Sequence, residues 1–276
     1  MKKSIKMIAI DMDGTLLTSD KKVTPYTKQV LEQAIAQGII ILAATGRPLS
    51  GIPKEVSELA GVRYAVTTNG ARVFDIQKNV LLFEHLLDKE LALRCIGMME
   101  KYDSSQEVYY EGKGYAAAVH LENIGHFHRN PAMWEYVLAT RTAVPDLKAL
   151  IMSKERGVEK VQGLFADETE RQQALAEFMA LGEVTPTSSL GYNIELNAAG
   201  VNKGSSLMEL GRLLAIDPAE IMAIGDADND VEMIRQAGLG IAMENALASA
   251  KAVADAITDT NDADGVAKAI EKYCLN

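Results

Sequence analysis

The chain has 276 residues, of which 48% are hydrophobic and 24% charged, a composition typical of a globular protein large enough for two domains. Its formal net charge of −10 is spread along the chain, which argues against nucleic acid or an acidic membrane surface as a partner. In so acidic a chain, any site for an anion needs a local positive charge from a lysine, a metal ion or backbone amides.

The cysteines and the N-terminal segment bear on where the protein resides. Cys95 and Cys274 lie far apart in segments predicted to be helical, which indicates reduced thiols rather than a disulfide. Asp11 interrupts the apolar run after Met1 too early for a signal peptide, and no stretch approaches the length of a membrane span. We therefore predict a cytoplasmic protein that binds no membrane.

Strands alternate with helices in the first quarter of the chain, which predicts a parallel sheet. The first helix is predicted to begin at Thr24, an N-cap residue followed by Pro25, and to stop at Gly38. A second helix is predicted to end near Ala60. Short apolar strands are predicted at 6–10, 39–44 and 64–68.

The pattern changes from about residue 73. We expect a hairpin over 73–83 that leads away from the first sheet, and then an inserted α+β domain with its own core over 84–190. Its helices are predicted at 88–101, at 131–139 and after the capping residue Asp167. Its strands are predicted on both sides of 112–114, at 160–165 and after Gly182.

Alternation of strands and helices is predicted to resume with a strand at 192–196. Later strands are predicted at 221–224 and 240–242, and helices after Lys203, between Asp230 and Gly238, at 246–254 and at 265–273. The chain is thus predicted to begin and end in one doubly wound α/β domain, formed by 1–83 and 191–276.

Two carboxylates follow the first predicted strand. Asp11 and Asp13 point the same way if the chain is still extended there, because side chains alternate along a strand. Gly14 then allows a sharp turn that brings backbone amides close to an anion. This arrangement suits a hard cation and a phosphate held together.

Other polar side chains lie at similar positions further along the chain. Thr45 follows the second strand, Lys203 begins a helix, and Asp226 and Asp230 follow a later strand. Taken singly, each has a structural explanation as a turn residue, a solvated lysine or a helix-capping acid. Because the carboxyl ends of parallel strands meet at one edge of a sheet, these groups are expected to converge. Together they supply what phosphoryl transfer requires.

Four of these segments resemble known motifs. The sequences D-M-D-G-T at 11–15, T-G-R at 45–47, N-K-G at 202–204 and G-D-A-D-N-D at 225–230 are similar to the motifs of haloacid dehalogenase superfamily phosphatases. The insertion between the second and third motifs, with T-N-G-A at 68–71, resembles the Cof subfamily of sugar-phosphate phosphatases. The resemblance implies a doubly wound, Rossmann-like core with an inserted α+β cap domain.

The resemblance implies a role for each motif acid. Asp11 is the implied nucleophile, which attacks phosphorus and forms an aspartyl-phosphate. Asp13 is the implied general acid and base, which protonates the leaving alkoxide and later accepts a proton from the hydrolytic water. The implied cofactor is Mg²⁺, held by the Asp11 carboxylate, the backbone carbonyl of Asp13 and Asp226, while Asn229 and Asp230 orient the loop and the waters.

The remaining motif residues are implied to bind the phosphorylated substrate. Thr45 and backbone amides hold the phosphoryl oxygens, and Lys203 neutralises the charge that clustered carboxylates and a phosphate create together. Arg47 reaches the substrate phosphate or the cap, or forms a salt bridge. The implied substrate-binding positions are Gly14, Gly46, Arg47 and Asn229.

The inserted segment does not identify the substrate. His120, His126 and His128 lie close together, but their spacing matches no standard zinc site and no cysteine is near. We expect surface or packed histidines there, and we expect Trp134 to be a core anchor.

The leading interpretation is a Mg²⁺-dependent phosphatase of small phosphorylated metabolites, with sugar phosphates as the leading substrate class. A phosphomutase, or a phosphatase of a cofactor such as a flavin or pyridoxal phosphate, stays open. A phosphate-sensing receiver module also uses an acidic Mg²⁺ site, but it needs one compact domain with its nucleophile on a later strand. The oligomeric state is not predicted.

Overall fold

The computed structural model describes residues 4–59 and 61–275, and the chain divides into two compact units. The core unit consists of Met1–Gly46, Ile52–Glu84 and Asn202–Asn276, and the inserted unit consists of Arg47–Gly51 and His85–Val201. The predicted end of the second helix at Ala60 lies outside the described residues.

The strands are numbered in chain order. They are β1 (Met7–Ile10), β2 (Ile40–Ala44), β3 (Val62–Thr67), β4 (Arg72–Asp75), β5 (Val80–Glu84), β6 (Ser104–Tyr110), β7 (Lys113–Ala117), β8 (Arg141–Val144), β9 (Lys160–Phe165), β10 (Val184–Thr187), β11 (Asn193–Ala198), β12 (Ile221–Gly225), β13 (Leu239–Ala242) and β14 (Ala256–Ile257).

The helices are numbered in the same way. They are α1 (Pro25–Ala36), α2 (Lys54–Ser57), α3 (Lys89–Met99), α4 (Ala118–Glu122), α5 (Ile124–Phe127), α6 (Trp134–Thr140), α7 (Leu147–Ser153), α8 (Glu168–Leu181), α9 (Lys203–Leu213), α10 (Val231–Gln236), α11 (Ala248–Val253) and α12 (Gly265–Ile270). Short 3₁₀ turns lie at Leu49–Gly51, Thr68–Gly70, Pro131–Met133, Pro218–Glu220, Asp228–Asp230 and Asn261–Ala263, and a π-helical turn at Glu271–Leu275.

The core unit is built on one sheet, which within the described residues has eight strands in the order β14-β13-β12-β1-β2-β3-β4-β5. The strands from β14 to β3 are parallel. Every residue of the central strand β1 is buried, as expected for a parallel strand covered on both faces. The α/β fold class with a doubly wound core is therefore confirmed.

The hairpin over 73–83 does not lead away from this sheet, contrary to the prediction. β4 pairs antiparallel with β3, with Val73 opposite Val66, and β5 pairs antiparallel with β4. Val73 is fully buried and belongs to the same apolar core as β1. Burial of this side chain explains why the hairpin extends the parallel sheet with two antiparallel strands.

The segment after the second strand is less helical than predicted. It forms only the 3₁₀ turn Leu49–Gly51 and the single turn α2. Pro48 and Pro53 account for the difference, because proline lacks a backbone N–H and disfavours helical backbone in the residue before it.

The inserted unit is built on a second sheet, which within the described residues has six strands in the order β10-β11-β9-β6-β7-β8. All its neighbouring strands are antiparallel except β7 and β8. Apolar residues of α3, α7 and α8 join those of the sheet in one core, as the buried side chains of Ile96, Ile151 and Phe178 show.

β11 belongs to this second sheet and not to the core unit, so the predicted boundary at residue 191 differs from the observed one at Asn202. Ile194 and Leu196 enter the apolar core of the inserted unit, whereas Glu195 alternates with them. The opposite face of β11 is also buried but is polar, with Glu195 paired to Lys160. A strand with one apolar and one polar face differs from a parallel strand covered on both faces, which is apolar throughout.

Among the helices of the described residues, none is both long enough and apolar enough to cross a membrane. The predicted location in the cytoplasm stays a prediction.

Candidate active site

The carboxyl end of β1 brings Asp11 to the centre of the core sheet. Ile10 is aligned with Ala43 of β2 and with Ile224 of β12, and the Asp11 amide donates to the Ile224 carbonyl at 3.0 Å. The ends of three neighbouring parallel strands therefore lie together, as the sequence predicted. Thr45 follows β2 and is buried at the same edge.

Gly14 makes the turn after β1 possible. Its φ of 83° lies in the left-handed region, which favours glycine. A Cβ atom on Gly14 would lie only 2.4 Å from Oδ2 of Asp226. The glycine thus allows both the turn and the close approach of Asp226, whose Oδ1 accepts a 2.7 Å hydrogen bond from the Thr15 hydroxyl.

Lys203 is the buried cation of the site. It begins α9, whose N-cap Asn202 forms a reciprocal capping box with Ser205. The Lys203 Nζ lies 2.5 Å from Oδ1 of Asp11 and 2.7 Å from Oδ1 of Asp230. Burial alone would lower the pKa of Lys203, but the two carboxylates more than offset this and raise it, so the ammonium form is favoured.

Asp230 organises the loop that follows β12. Its Oδ2 accepts hydrogen bonds from the backbone amides of Asp226 and Ala227 at 2.9 and 3.0 Å, while its Oδ1 accepts from Lys203. With both oxygens bound to the protein, the Asp230 carboxylate is suited to holding the loop in place. The close approach also explains Gly225, where a Cβ would lie 2.5 Å from the Asp230 side chain.

The carboxylates of Asp11, Asp226 and Asp230 form a group whose ligand oxygens all lie within 4.8 Å of one another. Burial, and then the charge of Asp230, raise the pKa of Asp11 well above its usual value, and the same two causes raise the pKa of Asp226 to about 7. Three carboxylates face one lysine at this site, so the negative charge is only partly balanced. An all-oxygen donor set with surplus negative charge fits a hard divalent cation such as Mg²⁺.

The side chain of Asp13 has a different environment from that of Asp11. It is 38% exposed, and its Oδ1 lies 2.8 Å from Nζ of Lys21. Nothing in the sequence singles out Lys21, because one lysine in a polar turn carries no signal of its own. The structure shows that the turn brings the Lys21 ammonium group into an ion pair with Asp13.

Asn69 is a second residue that motif reasoning left without a role. It follows β3, and its Oδ1 accepts a 3.1 Å hydrogen bond from Nδ2 of Asn229. Both asparagines are buried. The Asn-Gly pair directly after a buried strand was the available signal, since it marks a backbone turn at the same sheet edge.

Arg47 belongs to the inserted unit and not to the core unit that carries the other motif residues. Its Nη1 donates to the Gly51 carbonyl at 3.0 Å, and its guanidinium lies 4.4 Å from the centre of the Tyr136 ring.

The histidines of the inserted unit have packing and hydrogen-bonding partners. The rings of His120 and His126 each contact the Phe127 ring edge-on, and Nε2 of His126 lies 2.7 Å from a carboxylate oxygen of Asp103. The carbonyl of His128 accepts a 2.9 Å hydrogen bond from the indole of Trp134.

Comparisons with known proteins show the family of the chain. A family model described as haloacid dehalogenase-like hydrolase matches residues 8–270. The chain is 31% identical to 5-amino-6-(5-phospho-D-ribitylamino)uracil phosphatase YcsE of Bacillus subtilis over 271 residues, which cover 98% of this chain and 96% of that protein.

Solved structures of haloacid dehalogenase-like proteins share the fold of this chain. A haloacid dehalogenase-like hydrolase from B. subtilis superposes with a TM-score of 0.86 at 27% identity and covers 98% of this chain and 99% of its own. A sugar phosphatase of haloacid dehalogenase subclass IIB, 24% identical, superposes with a TM-score of 0.80 and covers 97% of this chain and 98% of its own.

Proposed function

The chain belongs to the haloacid dehalogenase-like hydrolase family and is a phosphatase of that family, and from this premise we propose its mechanism and substrate class. We propose that the protein is a Mg²⁺-dependent hydrolase of small phosphorylated metabolites, with sugar phosphates as the leading substrate class, and that it acts through an aspartyl-phosphate. The observation that carries this proposal is the cluster of Asp11, Asp226 and Asp230 at the carboxyl edge of the core sheet, where the buried Lys203 contacts Asp11 and Asp230.

Asp11 is the proposed nucleophile. One of its carboxylate oxygens forms the bond to phosphorus while the bond from phosphorus to the leaving oxygen breaks. Lys203 supports this role because its ammonium group donates a 2.5 Å hydrogen bond to Oδ1 of Asp11. This positive charge reduces the repulsion between the Asp11 carboxylate and a phosphate. Water then attacks the acyl phosphate, releases inorganic phosphate and restores the Asp11 carboxylate.

Asp13 is the proposed acid and base of these two steps. It gives a proton to the leaving alkoxide in the first step and takes one from the attacking water in the second. Its partial exposure suits this role, since the attacking water can reach the carboxyl group from solvent.

Mg²⁺ is proposed to be held by the carboxylates of Asp11 and Asp226 and by the backbone carbonyl of Asp13, with Asp230 holding the loop. The bound cation would offset negative charge on the transferring phosphoryl group. Thr45, Asn229 and the amides of Gly14 and Gly46 are proposed to hold the phosphoryl oxygens. Arg47 is proposed as a further contact of the substrate phosphate.

The B. subtilis relative YcsE carries in its name a substrate with a phosphorylated ribityl chain attached to a uracil ring. We therefore propose that compound as a substrate to be tested beside hexose and pentose phosphates.

The test is phosphate release from an aryl phosphate and from this panel, with and without Mg²⁺, by the wild type and by Asp11→Asn. We expect Mg²⁺-dependent release that Asp11→Asn abolishes while its circular dichroism and thermal unfolding stay those of a folded protein. An active, folded Asp11→Asn enzyme would refute the nucleophile assignment. Transfer of phosphate between sugars without net release would instead identify a mutase.

A further inference from the structure

The turn Thr68–Gly70 has an unusual backbone. Its three residues have φ values of 51°, 57° and 102°, all in the left-handed region. Thr68 is β-branched, and such residues rarely adopt this conformation. All three are buried, so the surrounding structure holds the turn in place against the preference of its own sequence.

The turn contacts three of the segments that form the active site. The Asn69 amide donates to the Thr45 carbonyl at 3.0 Å, which joins the turn to the end of β2. The Gly70 carbonyl accepts a 2.7 Å hydrogen bond from the Ser206 hydroxyl of α9. The Cα atom of Gly70 lies so close to the start of α9 that a Cβ atom on it would be 2.4 Å from the Asn202 carbonyl oxygen.

The third contact is made by a side chain. Oδ1 of Asn69 accepts the hydrogen bond from Nδ2 of Asn229, which lies in the 3₁₀ turn Asp228–Asp230. The loop after β12 is thus fixed at two neighbouring points, by Lys203 through Asp230 and by Asn69 through Asn229.

We propose that Asn69 is a positioning residue of the phosphatase site, which holds Asn229 and through it the loop that carries Asp226. Asparagine suits the position for two separate reasons, since it tolerates left-handed backbone and it supplies a side-chain acceptor. Glycine would supply only the first property. This inference rests on the proposed function for its kinetic test but not for its metal-binding test.

Asn69→Gly is the main variant, because glycine lacks the side-chain acceptor of asparagine but tolerates the same backbone conformation. Asn69→Gly keeps the backbone conformation available and deletes the acceptor, whereas Asn69→Asp keeps an acceptor oxygen opposite the Asn229 amide. Asn79→Gly is the matched control, because Asn79 also has a positive φ, of 53°, and lies exposed in the turn between β4 and β5.

The kinetic experiment measures kcat and KM for an aryl phosphate. We expect Asn69→Gly to lower kcat by about tenfold, the size of one lost hydrogen bond in the transition state, with KM changed less than about twofold. Asn69→Asp should recover most of this loss, and Asn79→Gly should match the wild type. In an Asn229→Ala background, Asn69→Gly should add less than about a twofold effect, because the two residues act as one unit.

A calorimetric titration with Mg²⁺ alone is the second readout. We expect Asn69→Gly to bind Mg²⁺ several-fold more weakly than the wild type and than Asn79→Gly, because the loop that carries Asp226 is released. If the wild type shows no phosphate release, the proposed function fails and this titration decides the role of Asn69 by itself. Should Asn69→Gly not fold, Asn229→Ala removes the same hydrogen bond from the other side and must weaken Mg²⁺ binding equally.

Three results would overturn the proposal. Wild-type kcat and wild-type Mg²⁺ affinity together in Asn69→Gly would show that the hydrogen bond positions nothing. Effects of Asn69→Gly and Asn229→Ala that multiply in the double variant would show independent roles. An equal loss in Asn79→Gly would show that the backbone, and not the acceptor, is responsible.

Discussion

Lys203 is the residue on which the charge balance of the active site depends. Its ammonium group is fully buried and lies on two of the three clustered carboxylates. Breaking a buried ion pair from one side leaves uncompensated charge, which costs more than the pair itself contributes. The same residue is thus expected to matter for both stability and catalysis.

We predict that Lys203→Met lowers kcat by about a thousandfold, the upper range for losing one preorganised positive contact to the transition state. It should also lower the free energy of unfolding by about 3 kcal/mol or more at neutral pH, because three carboxylates then lack a cation. Phosphate release and chemical denaturation measure the two effects. Lys268→Met, at an exposed lysine of the same unit, is the control, and equal behaviour of both variants would contradict the prediction.

Glu107 is one of the buried charged residues of the inserted unit. Its Oε2 accepts hydrogen bonds from the Tyr109 hydroxyl at 2.6 Å and from Nε of Arg141 at 2.9 Å. Burial would raise the pKa of Glu107, but Arg141 and Tyr109 outweigh it and lower the pKa below the usual 4.5. An acid whose pKa is lowered by folding adds stability above its unfolded pKa and loses it as the pH falls through its folded pKa.

We therefore predict that part of the acid destabilisation below pH 4.5 comes from Glu107. Thermal unfolding measured from pH 7 downwards should show a shallower loss of Tm below that pH in Glu107→Gln. At pH 7 this variant should be less stable by about 3 kcal/mol, because Arg141 loses its buried partner. Glu122→Gln, at an exposed acid of the same unit, should follow the wild type. Parallel acid limbs in Glu107→Gln and the wild type would refute the assignment.

Among the local elements, the turn between β1 and α1 shows most directly how backbone geometry serves the site. Gly14 and Gly38 have nearly the same φ, 83° and 84°. A Cβ on Gly14 would meet Asp226 at 2.4 Å, whereas a Cβ on Gly38 would meet nothing within 4 Å. The two glycines therefore separate the cost of left-handed backbone from the cost of displacing a motif acid.

We predict that Gly14→Ala and Gly38→Ala both lose about 1 kcal/mol of stability from backbone strain, but that only Gly14→Ala loses activity. Displacement of Asp226 should lower kcat/KM of Gly14→Ala by about a hundredfold or more, since misplacement of about 1 Å has effects of this size. Phosphate release and thermal unfolding of both variants test this. Comparable activity in the two variants would show that Asp226 adjusts freely.

The elements that sequence patterns predicted best are those with strong local signals. Thr24 and Pro25 start α1 as predicted, with the Thr24 side chain accepting from the Thr27 amide, and Asp167 caps α8. The elements that were missed have weak local signals, as in the short helices α4 and α5. The sheet to which β11 belongs was missed as well, although the alternation of apolar and polar residues along this strand was an available signal for an antiparallel sheet.

At the scale of the whole molecule, the topology carried the prediction of the active site further than any single motif. Asp11, Thr45 and Asp226 are far apart in sequence, and the rule that parallel strands end at one edge was enough to bring them together. The positions of Lys21 and Asn69 were not accessible in this way, since their contacts depend on turns whose geometry no periodicity encodes. The positions of such residues depend on tertiary contacts.

The surplus of negative charge at the carboxylate cluster also makes stability depend on the cation. A ligand that binds only the native state stabilises it by mass action, by about 2.7 kcal/mol at 100 times its Kd. For a chain of this size we predict that saturating Mg²⁺ raises Tm by about 5–10 °C. Scanning calorimetry at constant ionic strength, with Na⁺ in place of Mg²⁺ as reference, measures the shift.

Asp226→Asn makes this last prediction specific to the proposed site. It removes one carboxylate ligand, so the Mg²⁺-dependent rise in Tm should nearly vanish, while Asp20→Asn, at an exposed acid of the same unit, should keep it. Without Mg²⁺, Asp226→Asn should be at least as stable as the wild type, because burial disfavours the charge that the substitution removes. A full Mg²⁺ shift in Asp226→Asn would place the cation elsewhere on the protein, since a site that lost a ligand cannot bind equally well.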